Sequence, residues 1–360
     1  MRWDNLRPSP QGDGLRAARA IPPLPLALPG AVARTFDTPG FAGMTFYEVR
    51  AKSILNRVPA GSQVPFQWTV NPYRGCGHAC TYCFARNTHT YLDLDAGRDF
   101  DTRVVVKVNA PELLRHELAA PRWRGQQVAM GTNVDCYQRA EGRYRLMRGI
   151  LAALRDFANP FSILTKGTLI LRDLDLLRQA AAVTRVGLSV SVGFVDEGLW
   201  RAVEPGAPGP ARRLDVVRTL TDAGFAVGVL VAPILPGLSD SAEQIEATVA
   251  AVARAGAVSA TPLPLHLRTG AREWYLDWLG RYAPHLLPRY RDLFRDGAYS
   301  PAAYQREVSA RVREAARRHG IGVDATRTVA ASPAQARHLA RPDRPPPDPA
   351  PPADTQLTLL

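Results

Sequence analysis

The chain has 360 residues, enough to bury a large core in one domain with appendages. Its formal charge is +12, which suits a polyanionic partner, yet all but three of its 45 basic residues are arginine, a usage that codon bias produces as readily as nucleic-acid binding. The chain has no run of 18 apolar residues, which argues against a transmembrane helix, and the apolar stretch 21–28 is broken by Pro22, Pro23 and Pro25, a poor core for a signal peptide.

Residues 1–43 are rich in proline and glycine and read as an irregular N-terminal segment. Helical spacing of apolar residues predicts a helix over 43–56, with Arg50 and Lys52 on a solvated face. A first strand is expected over 66–70. The stretch that follows, Asn71 to Arg86, holds Cys76, Cys80 and Cys83 in a C-x3-C-x2-C pattern, three of the four cysteines in the chain. Thiolates are soft ligands suited to iron–sulfur clusters. Short spacers let one loop reach three corners of a 4Fe–4S cluster, leaving the fourth iron open to a non-protein ligand. Gly75 and Gly77 are placed to permit the turns. Three alternatives stand beside this reading. One is zinc completed by His78 or His89, another a closed four-thiolate cluster using Cys136, and the third a structural disulfide, which the spacing disfavours. Free thiols and a cluster are expected in a reducing cytoplasm.

The C-x3-C-x2-C loop, with Tyr82 just before its last cysteine, resembles the radical SAM superfamily. The longer stretch Asn71 to Tyr91 is similar to the branch related to spore photoproduct lyase. The resemblance implies a partial (β/α)6 barrel as an α/β core over residues 44–268. It implies a 4Fe–4S cluster and S-adenosylmethionine as cofactors, with a one-electron donor such as flavodoxin or ferredoxin.

Further strands are expected over 127–131, 161–165, 186–192, 226–232 and 258–265. Helices are expected over 111–118, 144–157, 173–182, 211–223 and 242–255. Such alternation argues for parallel strands joined by right-handed crossovers, and barrel chemistry gathers at the C-terminal strand ends. At those ends lie Gly131, Thr132, Asn133 and Asp135, a small-residue turn where the resemblance implies a site for the amino group of S-adenosylmethionine, although the common Gly-Gly-Glu form is absent. Cys136 follows. A buried structural thiol is the ordinary fate of such a residue, while the resemblance implies a hydrogen-atom donor. Lys166 is placed to meet the cofactor carboxylate. Ser189 and Ser191 share one strand face by their period-two spacing and could reach the ribose. Arg213, with Glu204, lies where the resemblance places a cofactor-facing ion pair. Ile234 and Tyr82 are candidates to pack on adenine. His266 and Arg268 stand at the last strand end on the substrate side.

Residues 269–340 read as a helical extension, with helices over 273–282 and 302–319; the arginines of the second helix form either a solvated or a nucleic-acid-binding face. Residues 341–360 are a Pro-rich linker followed by Gln356-Leu357-Thr358-Leu359-Leu360, a terminal motif similar to the pentapeptide by which bacterial proteins dock on the sliding clamp. The combined reading is a radical enzyme related to DNA-repair lyases. Alternatives are radical modification of RNA, protein or a metabolite, or a non-catalytic iron–sulfur or zinc module.

Overall fold

The structure is a computed structural model that describes residues 28 and 30–323, apart from 60 and 63. The linker and the terminal motif over 341–360 lie outside the described residues, as does most of the N-terminal segment.

The strands are β1 (Val32–Arg34), β2 (Thr45–Val49), β3 (Leu55–Arg57), β4 (Trp68–Val70), β5 (Tyr73–Arg74), β6 (Arg103–Lys107), β7 (Val128–Met130), β8 (Phe161–Thr165), β9 (Val186–Ser191), β10 (Val227–Ile234) and β11 (Ser259–Pro264). The helices are α1 (Arg98–Thr102), α2 (Ala110–Ala119), α3 (Arg139–Tyr144), α4 (Leu146–Asp156), α5 (Leu174–Val183), α6 (Glu197–Val203), α7 (Pro210–Asp222), α8 (Ala242–Arg254), α9 (Ala271–Tyr282), α10 (Leu287–Leu293) and α11 (Ala302–Arg318).

A seven-stranded sheet runs in the order β11-β10-β9-β8-β7-β4-β3. The six strands from β4 to β11 in it pair in parallel, and β3 closes one edge antiparallel to β4. This is the expected six-strand α/β core. Its crossover helices bury one face each. In α4 the buried side chains are Leu146, Met147, Ile150, Leu151, Ala153 and Leu154, an apolar stripe at helical spacing. Two helix starts are capped in the way their sequences suggest. The Asp196 carboxylate accepts from the Leu199 N–H at 2.7 Å, and the Ser241 hydroxyl accepts from the Gln244 N–H at 3.2 Å.

The expected helix over 43–56 is instead two strands, β2 and β3. Thr45, Phe46 and Tyr47 are all buried, on alternating faces, which an extended chain between two layers permits and a surface helix does not. β2 pairs in parallel with β6, which the sequence reading missed, in a second sheet ordered β1-β2-β6-β5. The N-terminal segment is likewise not irregular throughout, since Val32–Arg34 forms β1 against β2. Phe46, Val104 and Val106 join the main core, while Tyr47 and Val105 face the other way, toward Leu28 and Leu92.

Beyond the last parallel strand, α11 packs Val308, Val312, Ala315 and Ala316 inward. Several of its arginines answer carboxylates: Arg311 binds Glu307, and Arg318 binds Glu246 and Glu314. That pairing weakens the reading of this helix as a nucleic-acid face. No helix among the described residues is long and apolar enough to cross a membrane.

Candidate active site

A cavity of about 160 Å³ opens at the C-terminal ends of the parallel strands. The loop after β5 supplies Cys76, Cys80 and Cys83 to its wall; Gly131 to Asp135 come from the end of β7, Lys166 from β8, Ser191 from β9, and Ala232 and Pro233 from β10. All four cysteines are free thiols, so the disulfide alternative falls.

The cysteine loop is held by residues distant in sequence. Gln138 is fully buried; its side-chain oxygen accepts from the Gly77 N–H at 3.0 Å, and its amide donates to the Gly75 carbonyl at 2.8 Å. Arg86 is fully buried too. It donates to the Cys80 carbonyl at 2.9 Å and to the Gly97 carbonyl at 2.8 Å, pairs with Asp101 at 2.8 Å, and lies over the rings of Phe100 and Trp274. A buried guanidinium with every side engaged is a rigid clamp. Neither role was visible in the sequence, where Gln138 carries no motif and Arg86 reads as one arginine among many. The end of α6 adds a third brace: the Thr81 N–H donates to the Val203 carbonyl at 3.0 Å, and the Gly206 N–H to the His78 carbonyl at 3.0 Å. A Cβ on Gly206 would come within 2.1 Å of the Gly77 carbonyl oxygen.

The cysteine loop itself turns through Gly75, at φ +83°, and also through Ala79, at φ 52°. Gly77 is not in the left-handed region, and a Cβ there would meet only the flexible end of Met44. Its expected conformational role therefore belongs to Ala79.

Behind the loop is a buried charged group. Glu204 forms an ion pair with Arg213, accepts a hydrogen bond from the Tyr82 hydroxyl, and lies 3.9 Å from the Lys166 ammonium. Burial pushes the Glu204 carboxyl up, but Arg213 and Lys166 together outweigh it and hold the group below its usual value. The Lys166 ammonium also lies 5.7 Å from the centre of the Tyr82 ring. Tyr82 and Lys166 line the cavity, whereas Arg213 stands behind them and acts through Glu204.

The expected residues divide. Thr132, Asn133, Lys166 and Ser191 reach the cavity wall. Asp135 reaches it as well, but its oxygens are occupied. They accept from the Thr165 hydroxyl at 2.7 Å, the Lys166 N–H at 2.6 Å and the Tyr137 N–H at 2.8 Å. Asp135 ties β7 to β8. Gly131 has φ +77°, and a Cβ on it would meet the Leu164 carbonyl oxygen at 1.8 Å. The close approach it allows is therefore to the neighbouring strand. Ser189 lies one pleat below the cavity and does not line it, and Ile234 is fully buried in the core. Ala232 and Pro233 take the wall position expected of Ile234.

Cys136 is buried in the main core and does not line the cavity. Burial, then Asp135 and Glu141, push its thiol well up. The position offers no geometric support for a fourth cluster ligand or for a hydrogen donor to a bound substrate. His89 is also outside the cavity; its Nε2–H donates to the Arg103 carbonyl at 2.8 Å. His78 does line it, with Nδ1 3.5 Å from Asp135, and burial pulls its pKa down to about 4, so the imidazole is neutral at neutral pH.

The donor set fits an iron–sulfur cluster. Three thiols line one cavity, Cys76 and Cys80 buried and Cys83 half-buried, and burial pushes the Cys80 thiol up to about 12, so a bound cation is what would make thiolates of them. Among the described residues no three His, Cys, Asp or Glu side chains converge on a single ion. A tetrahedral zinc needs such convergence, at about 2.3 Å for sulfur, whereas a cluster spreads its thiolates over several irons.

The model of the Radical SAM superfamily matches residues 70–250, and the chain belongs to that superfamily. Its cofactors are a 4Fe–4S cluster and S-adenosylmethionine. An uncharacterized protein of Mycobacterium tuberculosis is 49% identical over 304 residues, covering 82% of this chain and 89% of the relative. An uncharacterized protein of Methanocaldococcus jannaschii is 31% identical over 195 residues, 54% of this chain and 69% of that one. Among solved structures, a double mutant of spore photoproduct lyase with bound AdoMet and dinucleoside spore photoproduct superposes with a TM-score of 0.54 at 16% identity, over 77% of this chain and 79% of that one. At that identity the likeness concerns the fold.

Proposed function

We propose that this chain is a radical enzyme acting on nucleic acid, with DNA carrying a damaged pyrimidine as its leading substrate. The observation that carries this reading is the mouth of the cavity. His266 lines the entrance and stacks on Tyr299, with ring centres 5.5 Å apart at 26°. Phe84 lies 5.5 Å from His266, and the Arg268 guanidinium lies 5.4 Å from the Phe84 ring centre. Tyr299 is 59% exposed, an aromatic ring open to solvent. Stacked rings edged by arginine suit an unpaired base and its phosphate. The spore photoproduct lyase structures and the basic balance of the chain support the same class.

Cys76, Cys80 and Cys83 would hold the cluster, and Thr132, Asn133, Lys166 and Ser191 would meet the polar parts of S-adenosylmethionine. When bound, that pair supplies a 5′-deoxyadenosyl radical able to take a hydrogen atom from the substrate. The chain's own work is positioning and shielding. Arg213 and Glu204 fix Tyr82 of the cysteine loop, Asp135 fixes the β7 and β8 ends, and Leu265 and Pro233 give the cavity apolar wall. A reductant such as flavodoxin or ferredoxin would supply the electron. In the same reading, Gln356 to Leu360 would dock the enzyme on a sliding clamp; a Leu357→Ala, Leu359→Ala chain should then be lost from a clamp pull-down that retains the wild type.

The test is anaerobic reconstitution with dithionite and S-adenosylmethionine. Release of 5′-deoxyadenosine is expected, accelerated by ultraviolet-irradiated DNA, with the acceleration cut at least tenfold in Tyr299→Ala. Turnover indifferent to DNA and RNA would move the substrate to protein or a metabolite, and an intact cluster that never cleaves the cofactor would leave a binding module.

A further inference from the structure

A second cavity, of about 470 Å³, lies on the outer face of the small sheet and shares no lining residue with the first. Its walls include Leu28, Val49, Leu92 and Val105, and into this apolar lining come Arg74 from β5 and Lys107 from β6. The alternation of β6 explains the placement. Val104 and Val106 point into the main core, so Val105 and Lys107 point out, and Arg74 pairs opposite Val105.

Lys107 is only 8% exposed. Among the described residues, neither its ammonium nor the Arg74 guanidinium has a hydrogen-bond or ion-pair partner. The nearby acids are engaged elsewhere. Glu117 accepts from the Ile54 and Leu55 N–H groups at 3.0 and 2.7 Å, and Glu48, which itself lines the cavity, is held by Arg34 at 3.3 Å and by the Tyr144 hydroxyl at 3.0 Å. The third cation at this wall, Arg50, pairs with Glu112 at 3.4 Å on the exposed rim. Burial and then the charge of Arg74 pull the Lys107 pKa down to about 8, with Glu117 pulling the other way, so the lysine is still charged at neutral pH. A buried ammonium beside a half-buried guanidinium, with no counter-ion, is costly, and a bound anion removes that cost.

We propose that this cavity is a phosphate-binding site in which Lys107 and Arg74 together neutralise a phosphate dianion or monoester. Two positive charges match a dianion, both side chains are donors only, and the apolar walls leave room for an organic body, the volume falling within the usual range of about 300–1,000 Å³ for ligand pockets. The site is built around the second sheet and is independent of the substrate assigned to the first cavity.

The experiment is calorimetric titration of the full-length, cluster-loaded protein, anaerobically and at matched ionic strength, with inorganic phosphate and with phenyl phosphate. Saturable binding of one equivalent is expected for at least one probe, weakened at least tenfold in Lys107→Met. Tighter binding of phenyl phosphate would identify the ester as the ligand, and equal binding would identify free phosphate. Without either probe, Lys107→Met should melt higher than wild type, because a buried uncompensated charge is gone, and this reports that the variant folds. The proposal is overturned if neither probe binds the wild type, or if Lys107→Met binds equally well.

Discussion

Glu204 is a fully buried carboxylate, and it stays ionised because Arg213, Lys166 and the Tyr82 hydroxyl stabilise its charge. Replacing it by glutamine leaves Arg213 buried without a counter-charge. The expected loss is about 3–5 kcal/mol of stability, read as a lower denaturant midpoint, because a broken buried pair costs more than it contributes when intact. Asp101 is the opposite case. Burial pushes its carboxyl up to about 6 and Arg86 only partly opposes this. Between about pH 4, the unfolded value, and pH 6 the folded chain therefore binds more proton than the unfolded chain. This residue's contribution to stability is greatest at the acid end of that window and declines as pH rises through it. The stability difference between wild type and Asp101→Asn, measured by urea unfolding across the window, should shift against the wild type as pH rises. A flat difference would mean that Arg86 fully compensates the carboxylate.

Among the elements, the turn after β7 carries the tightest constraint. Gly131 sits at φ +77° with the Leu164 carbonyl where a Cβ would be, so Gly131→Ala must displace β8 or unfold the turn. A loss of about 4 kcal/mol or more is expected, at the severe end for a single substitution. Gly142→Ala is the control. It lies inside α3, where a Cβ meets only Leu169 at an ordinary 3.6 Å, and should be neutral or stabilising by up to about 1 kcal/mol. Unfolding midpoints of the two variants separate steric exclusion from a general intolerance of the region. The strand β2 makes a related point about sequence patterns. Its apolar residues fit helical spacing over 43–56, but neighbours on both faces made it extended, and local pattern carries no information about a second layer.

For the whole molecule, the formal charge of +12 overstates what a polyanion would meet. Arg86 and Arg213 are buried and paired, Arg148 and Arg172 answer Asp173, and α11 spends several arginines on its own glutamates. If DNA is the substrate, the slope of log affinity against log salt should be far smaller in magnitude than the net charge, because counter-ion release counts only the phosphates contacted. Filter binding over a salt series checks this, and a slope approaching the net charge would place DNA across a much wider surface than the cavity mouth.

Some of this was legible in the chain alone, because short-range chemistry decided it. The cysteine spacing announces a cluster loop, since three soft ligands within eight residues have few other uses. The alternation of apolar runs with helical stripes announces six parallel strands, since each element must bury one face locally. Thr132, Asn133, Lys166 and Ser191 could be picked out because strand ends are where barrels gather their polar groups. What only the folded chain decided is long-range: Arg86 and Gln138 as clamps on the loop, Asp135 as a tie between strands, Cys136 and Ile234 in the core, and Lys107 beside Arg74 in a second cavity. Whether a side chain faces a cavity, a neighbouring strand or the core depends on residues far along the chain, and one sequence read alone carries no record of which distant groups will meet.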